Sequence, residues 1–306
     1  MIGYVATIVL LLLLAPILLS FIKAVKMWLL YKRPVSLLQG FRDFGKLLRK
    51  ETVVSEEASA MTRIAPFLVL SPLLVALFYL PPIAKGAYYV SFVDAFTLTG
   101  LLALSTFFLM LLGLDSASSF GGMGSSREAF ISALVEPAMI LTIFSVSMMA
   151  GDLGIGQAGV NLAEHFPREH TASFLFAAIS FFILLIAENG RIPVDNPETH
   201  LELTMVHEAM ILDITGVYLA LIETAASVKF VIFASLFASL FLPFGMEEAW
   251  LPAAMIFVGK LFAVALAVAL IEVNTAKLRL FKVPNLLGIA IVFAFLSLIT
   301  YYVLGA

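Results

Sequence analysis

The 306-residue chain contains no cysteine. That excludes disulfides, and it excludes an iron–sulfur cluster held by the chain's own thiolates. Any electron carrier working with this chain is therefore expected on another subunit. Charge is also scarce. Only 13% of residues are Asp, Glu, Lys or Arg, whereas 62% are apolar. A soluble domain carries about 25% charged residues, so the composition is that of a polytopic membrane protein. The first apolar run lacks a basic n-region and is too long for a signal peptide, and it is expected to be retained. No internal repeat and no low-complexity linker is visible, which gives a single integral membrane domain spanning 1–306. A secondary transporter would fit intramembrane charge but should show paired halves or broken helices. The phosphate-cradling pattern GxxxxGK followed by Ser or Thr is absent. The net charge of −3 carries no information about nucleic acid, and no nucleic-acid partner is expected.

What the chain does have is eight long apolar runs. They are Ile2–Ile22 with an apolar continuation to Leu30, Ile64–Ile83, Phe92–Leu114, Ala129–Ala150, Thr171–Ala187, Val217–Leu242, Leu251–Val273 and Pro284–Leu304. Each is long enough to cross about 30 Å of hydrocarbon. A lipid-exposed span must satisfy its own backbone, so all eight are expected to be helices and the fold class all-α. Orientation follows the cations. Lys32, Arg33, Arg42, Lys46, Arg49, Lys50 and Arg63 crowd the first loop, with Lys23 and Lys26 just before it, and Lys277, Arg279 and Lys282 lie in the last. The opposite loops carry only Lys85 and Arg168. The basic loops are expected on the cytoplasmic side of the cell membrane, with both termini outside.

The organising stretch is Ala187 to Gly216, AENGRIPVDNPETHLELTMVHEAMILDITG. It holds Glu188, Asp195, Glu198, Glu202, Glu208 and Asp213, with Arg191 the only permanent cation among them. Crowding and desolvation both raise carboxylate pKa values, and coupled acids then exchange protons near neutral pH. The alternative is a solvated acidic loop. Asn196-Pro197 resembles a helix cap, and a helix from Pro197 would align Glu198, Glu202 and Asp213, leaving Glu208 pointing away. His207-Glu208 begins a zinc-protease motif, but position 211 is Ile, so HExxH fails and no metal is expected. An intramembrane hydrolase would need a nucleophile or metal constellation, and the missing cysteine and failed HExxH weigh against one.

Further charges interrupt the apolar runs: Glu136, Glu223, Lys229 and Lys260, with Glu188 and Glu272 at span ends. Such residues are expensive in a membrane and mark either a polar pathway or a structural ion pair. Glu223 and Lys229 are six apart on one helix, so each is expected to find its partner on another span. In the first loop, Leu37 to Lys50 places Leu37, Leu38, Phe41, Gly45 and Leu48 at helical spacing. Arg42, Asp43, Lys46, Arg49 and Lys50 lie opposite, giving an amphipathic helix at the interface. GLDSASSFGGMGSSREAF, between the third and fourth runs, is expected to be a folded-back loop. Ser125 and Glu128 would form a capping box opening the fourth span. The 27 phenylalanines are expected to pack or face lipid.

Taken together, these residues resemble the H-type membrane subunit that joins the two arms of respiratory complex I. They are more similar still to its counterpart in group 4 membrane-bound nickel–iron hydrogenases, including formate hydrogenlyase and hydrogenase-4 complexes. Arg33-Pro34 followed by LLQGFRDFGKLLRKE resembles the family's first-loop segment, with Arg33 where the family has glycine. Gly113 to Leu141, with Arg127 and Glu136 at charged positions, resembles the hydrogenase branch. AENGRIPVDNPETHLEL carries the complex I pattern at Glu188, Arg191, Pro193, Asp195, Glu198 and Glu202. The complex I acid near the end of that loop does not align without a shift, so Glu208 and Asp213 are both candidates for it. The resemblance implies a subunit that does no redox chemistry and carries no cofactor itself. The nickel–iron centre and iron–sulfur clusters would sit on hydrogenase large and small subunits, docked through Arg33, Arg42, Asp43, Lys46 and Arg49. Antiporter-like membrane subunits would move protons or sodium. Relatives that reduce quinone or sulfur are the alternative.

Overall fold

The computed structural model describes residues 2–54, 58–84, 94–116, 118–165, 170–196, 205–246 and 249–304. Eleven α-helices are present among them: α1 (Ile2–Leu29), α2 (Gln39–Leu48), α3 (Ala60–Leu77), α4 (Ala95–Asp115), α5 (Ser119–Ala150), α6 (Ile155–Glu164), α7 (Thr171–Glu188), α8 (His207–Ile211), α9 (Gly216–Leu240), α10 (Trp250–Asn274) and α11 (Val283–Leu304). Eight helices are long and apolar enough to span a membrane, as the eight apolar runs imply. Among the described residues no strand forms. The fold is an all-α polytopic bundle.

The central helix is α9, on which Phe230, Val231, Ile232, Phe233 and Ala234 are all essentially inaccessible. Its Phe233 and Phe237, with Phe241 just past its end, pack with Phe181 of α7 at centroid distances of 5.5–6.3 Å. The helices α5, α7 and α11 are joined differently, by hydroxyls in the apolar interior. Thr142 and Ser180 are 2.8 Å apart, Ser180 donates to the Ala290 carbonyl at 2.8 Å, and Ser145 meets Ser297 at 2.5 Å. Lipid tails offer no hydrophobic drive between spans, so small residues and such hydroxyl bonds supply the adhesion.

Two boundaries differ from the sequence expectation. The second span begins at Ala60 rather than Ile64, because Ser59 caps it and the Asp115 carboxylate accepts from both Thr62 N (2.8 Å) and Thr62 Oγ1 (2.6 Å). The larger correction concerns GLDSASSFGGMGSSREAF. It is not a folded-back loop. The fourth span starts at Ser119, and its cap is Ser118, which accepts from Gly121 N, so Ser125 and Glu128 lie inside α5 and form no capping box. The glycines serve close approach instead. A Cβ on Gly124 would lie 2.9 Å from both the Val206 carbonyl and Ala209 Cβ, and one on Gly113 would lie 2.9 Å from Met210 Cγ. The Gly/Ser composition makes a helix face against which α8 can lie flat.

The first loop, the turn after α7 and the segment before α11 share one face of the bundle. Val53 N donates to Thr215 Oγ1 (2.8 Å), and Leu278 N donates to the Pro193 carbonyl (2.8 Å).

Candidate functional site

The chain leaves α7 at Glu188 and turns sharply. Gly190 has φ +55°, and the Arg191 carbonyl accepts from Val194 N and Asp195 N. This turn buries Asp195, whose carboxylate becomes a hub. Oδ1 receives Lys277 Nζ at 2.6 Å and Asn196 N at 2.8 Å, while Oδ2 receives Val206 N (3.3 Å) and His207 N (3.2 Å). Those last two amides open α8, and they have no intrahelical acceptor. A carboxylate eleven residues upstream thus caps α8, and Lys277 holds that carboxylate in place. Arg127 of α5 fixes the same point by donating to the Met205 carbonyl at 2.7 Å.

The proposed continuous helix from Pro197 to Asp213 is not what forms. Residues 205 and 206 are non-helical, α8 is a separate five-residue helix, and Asp213 lies beyond its end. The Asp195 bonds to Val206 and His207 N–H explain the break, because they take the donors a continuing helix would use. Pro197, Glu198, His200 and Glu202 lie outside the described residues.

Placed this way, α8 presents His207 and Glu208 to a cavity of about 420 Å3. The other polar groups around it are Lys23 (α1), Ser105 and Thr106 (α4), Glu128 (α5), Glu188 (α7), Asn189, Arg191, and Glu223 and Lys229 (α9). Val69, Leu73, Leu109, Ile222 and Phe230 give it an apolar wall. Lys229 Nζ lies 2.6 Å from Glu188 Oε2 and donates to Thr106 Oγ1 at 3.0 Å. The partner of Lys229 is therefore on another span, as its spacing from Glu223 requires.

Behind the cavity lies a second ion cluster. Glu272 of α10 is buried and meets Lys26 of α1 at 3.2 Å and Arg191 at 3.4 Å, and the Arg191 guanidinium sits 5.7 Å from the Phe230 ring centre. Arg191 thus faces α10, while Asp195 is neutralised by Lys277. Two of the expected intramembrane charges stand apart. Glu136 is half-buried on α5, about 12 Å along the helix from Glu128 at 1.5 Å per residue. Lys260 is buried on α10, where it donates to the Leu242 and Phe244 carbonyls beyond the end of α9 and lies 4.2 Å from the Phe244 ring centre. Neither lines the cavity.

Two groups on α8 carry shifted protonation. Burial, reinforced by Glu223 and Asp195, raises the Glu208 carboxyl to about 7 against the opposing pull of Lys23. Burial also lowers His207 to about 4, Lys229 and Arg191 adding to the effect and Asp195 opposing it. At neutral pH His207 is therefore uncharged, and Glu208 can hold or release a proton. Among the described residues, no group of three His, Cys, Asp or Glu side chains is placed to hold a metal ion.

Sequence reasoning misses Glu128, Lys277, Lys26 and Lys23 as parts of this region. In the sequence the three lysines inform orientation alone, Glu128 reads as a cap, and Glu272 stands at a span end without its partners. Spacing within one helix gives no signal for them, because Lys26 and Lys277 find their partners on remote segments. The first-loop helix is present as α2. Arg42, Asp43 and Lys46 lie exposed on it, Arg49 caps it, and Arg33 lies exposed before it.

The chain is 33% identical over 240 residues to hydrogenase-4 component C of Escherichia coli, an alignment covering 78% of this chain and 75% of that one. It is 28% identical over 291 residues to formate hydrogenlyase subunit 4 of Escherichia coli, covering 94% of each. The H-type component of the NADH-quinone oxidoreductase of Rickettsia bellii matches at 28% over 176 residues, 56% of this chain and 50% of that one. Among solved structures, a chain of the membrane-bound sulfane sulfur reductase, an archaeal respiratory membrane complex, superposes with a TM-score of 0.81. It covers 97% of this chain and 98% of that one at 14% identity, a likeness of fold. A family model described as NADH dehydrogenase matches residues 6–303, and the chain belongs to that family, within which its relatives include hydrogenase-4 and formate hydrogenlyase membrane subunits.

Proposed function

We propose that the chain is a core membrane subunit of a membrane-bound hydrogenase, coupling redox events in a soluble module to ion movement across the membrane. The nickel–iron centre and iron–sulfur clusters would sit on hydrogenase large and small subunits, bound at the face bearing α2 and the turn after α7. That face would be cytoplasmic, with both termini opposite it. Antiporter-like membrane subunits would carry the proton or sodium ion. The observation that supports this most is the cavity itself. It brings four carboxylates, Glu128, Glu188, Glu208 and Glu223, into contact with one apolar-walled space whose nearest cations are Lys23, Arg191 and Lys229. Acids that share a space and compete for few cations titrate as a coupled set, so a change of charge above the face shifts a proton among them.

In this account Glu208 is the entry acid, since its carboxyl is raised to about 7 and it sits on the short helix capped by Asp195 of the turn after α7. The Glu188–Lys229 pair is the next element inward, able to open when a proton arrives at Glu188 and frees Lys229. Glu136 stands deeper on α5. Asp213 would add to this acidic set, with Arg191 anchored to Glu272, and Glu198 and Glu202 would share in its titration. Lys229→Met tests the proposal. It should lower ion movement in vesicles more than it lowers hydrogenase rates with artificial electron donors, whereas equal loss of both would mark a folding role.

A second reading is supported by the apolar wall of Val69, Leu73, Leu109, Ile222 and Phe230. A cavity of this size and mixed lining falls in the range of small-ligand sites, about 300–1,000 Å3, and a quinone would fit such chemistry. Saturable binding of a quinone analogue to the purified complex, lost in Leu73→Trp, would favour it.

A further inference from the structure

No residue of α2 is buried, yet the helix that carries Arg42 and Lys46 is pinned at both ends. At its start, Gly40 N donates to Ser20 Oγ of α1 (3.0 Å), and a Cβ on Gly40 would lie 2.8 Å from Pro16 Cβ. Past its end the chain runs without helix or strand through Glu51, Thr52 and Val53 and crosses the start of α9. There Thr215 Oγ1 accepts from Val53 N (2.8 Å) and donates to the Val53 carbonyl (3.2 Å). One hydroxyl thus holds both backbone groups of one residue.

The helix beneath this second pin is adapted to it. Thr215 immediately precedes α9, where a threonine ordinarily accepts from an amide of the first turn, but its side chain makes no such bond. Gly216 has φ +63°, and a Cβ on it would lie 2.7 Å from Thr52 Cγ2, 2.9 Å from the Glu51 carbonyl oxygen and 3.0 Å from that of Lys50. Three consecutive residues therefore lie directly on a position that only glycine fills. A loop that merely joined α2 to α3 would need neither the diverted cap nor the bare glycine.

Each pin also stands near a charge of the inner cavity. Ser20 is one turn from Lys23 on α1. Gly216 is two turns, about 10 Å, from Glu223 and on the same face of α9. Thr215 is moreover where α8 meets α9. Only Leu212, Asp213 and Ile214 separate it from α8, and Ile214 N donates to the Ile211 carbonyl at 3.1 Å. Glu208 and Glu223 sit on either side of this junction, and after burial it is Glu223 that most raises the Glu208 carboxyl. We infer that residues 50–53 are a strap through which displacement of α2 by a bound module is passed to the junction of α8 and α9. This rests on the coupling role proposed above and gives it a mechanical link. A shift of α2 pulls on Thr215 and Gly216, and the tight backbone contact leaves no slack, so the junction moves with it. The spacing of Glu208 and Glu223 then changes, and with it their mutual repulsion. Thr215 is a positioning residue and touches no ion itself.

The test compares amide hydrogen exchange in the intact purified complex, reduced under hydrogen and oxidised with excess dye. The expected result is a several-fold redox-linked difference at residues 205–211 and in the first turn of α9. It should persist in Thr215→Ser, which retains the hydroxyl, and vanish in Thr215→Val, which keeps the shape and loses both bonds. Should Thr215→Val fail to assemble, Val53→Pro removes the N–H donor from the strap and leaves α9 intact. A difference of parental size in the assembled Thr215→Val or Val53→Pro complex overturns the proposal and makes the strap a static staple. So does the absence of any difference in the parent. Exchange does not depend on ion movement, and the ion-to-hydrogen ratio of Glu208→Gln decides the coupling role independently. Loss of the exchange difference in Thr215→Val with an unchanged ion-to-hydrogen ratio keeps the strap and counts against the coupling role.

Discussion

Lys229 of α9 and Glu188 at the end of α7 form an ion pair of 2.6 Å, with side chains only 13% and 6% accessible. It joins two spans at the floor of the acidic cavity, and the third partner, Thr106, ties in α4. Removing one member of a buried pair leaves the other uncompensated, typically at about 3–5 kcal/mol. Lys229→Met and Glu188→Gln should therefore each lower the thermal midpoint of the purified complex, and the double variant should be more stable than either single one. Additive losses would mean the two side chains do not act as a pair.

Lys277 and Asp195 act at a distance from the cavity. Lys277→Met leaves Asp195 with its backbone donors only, so the cap on α8 loosens. The loss is expected at roughly 1–3 kcal/mol, or about 5- to 140-fold faster amide exchange, each 1.4 kcal/mol being tenfold. Hydrogen exchange of residues 205–211 should show this while α9 keeps its protection. Unchanged exchange in α8 would show that Arg127 alone positions it.

The two shifted groups on α8 have opposite linkage signs. Glu208 holds a proton more tightly folded (about 7) than unfolded (4.5), so its contribution to stability is present at low pH and is lost as pH rises from 4.5 to 7. His207 binds a proton less tightly folded (about 4) than unfolded (6.5), so stability is lost as pH falls from 6.5 to 4. Between 4.5 and 6.5 the slopes offset. Glu208→Gln should leave a midpoint that falls on acidification through that window, and His207→Gln one that falls as pH rises. Thermal midpoints across pH 4.5 to 7 decide this, and parallel curves for both variants would refute the assignment.

The bundle itself was legible in the sequence because lipid imposes one rule on every span: about 20 apolar residues closing their own hydrogen bonds. The α2 amphipathy was equally plain. What spacing could not show was partnership across the fold. Lys277 reads as a loop cation until Asp195 turns back toward it, and Glu272 reads as a span end until Lys26 and Arg191 converge on it. The GGMGSS stretch misled for a related reason. Glycine weakens helix propensity in water, yet between packed spans it removes the side chain that would hold α5 away from α8.

The exposed cations of α2 carry the docking claim. Arg42→Glu, Lys46→Glu and Arg49→Glu together should lower the amount of soluble subunits recovered with the membrane complex. Full stoichiometry in the triple variant would confine α2 to the bilayer interface.

The most direct measurement of the coupling role is the number of ions moved per hydrogen evolved in sealed vesicles bearing Glu208→Gln. This change keeps shape and hydrogen-bonding capacity and removes the titrating group. The expected result is an assembled complex with its dye-linked hydrogenase rate retained, an ion-to-hydrogen ratio well below the parent's, and the loss of any dependence of that ratio on pH near 7. An unchanged ratio, with Glu188→Gln also silent, would contradict the account and leave the cavity a structural feature of the docking face.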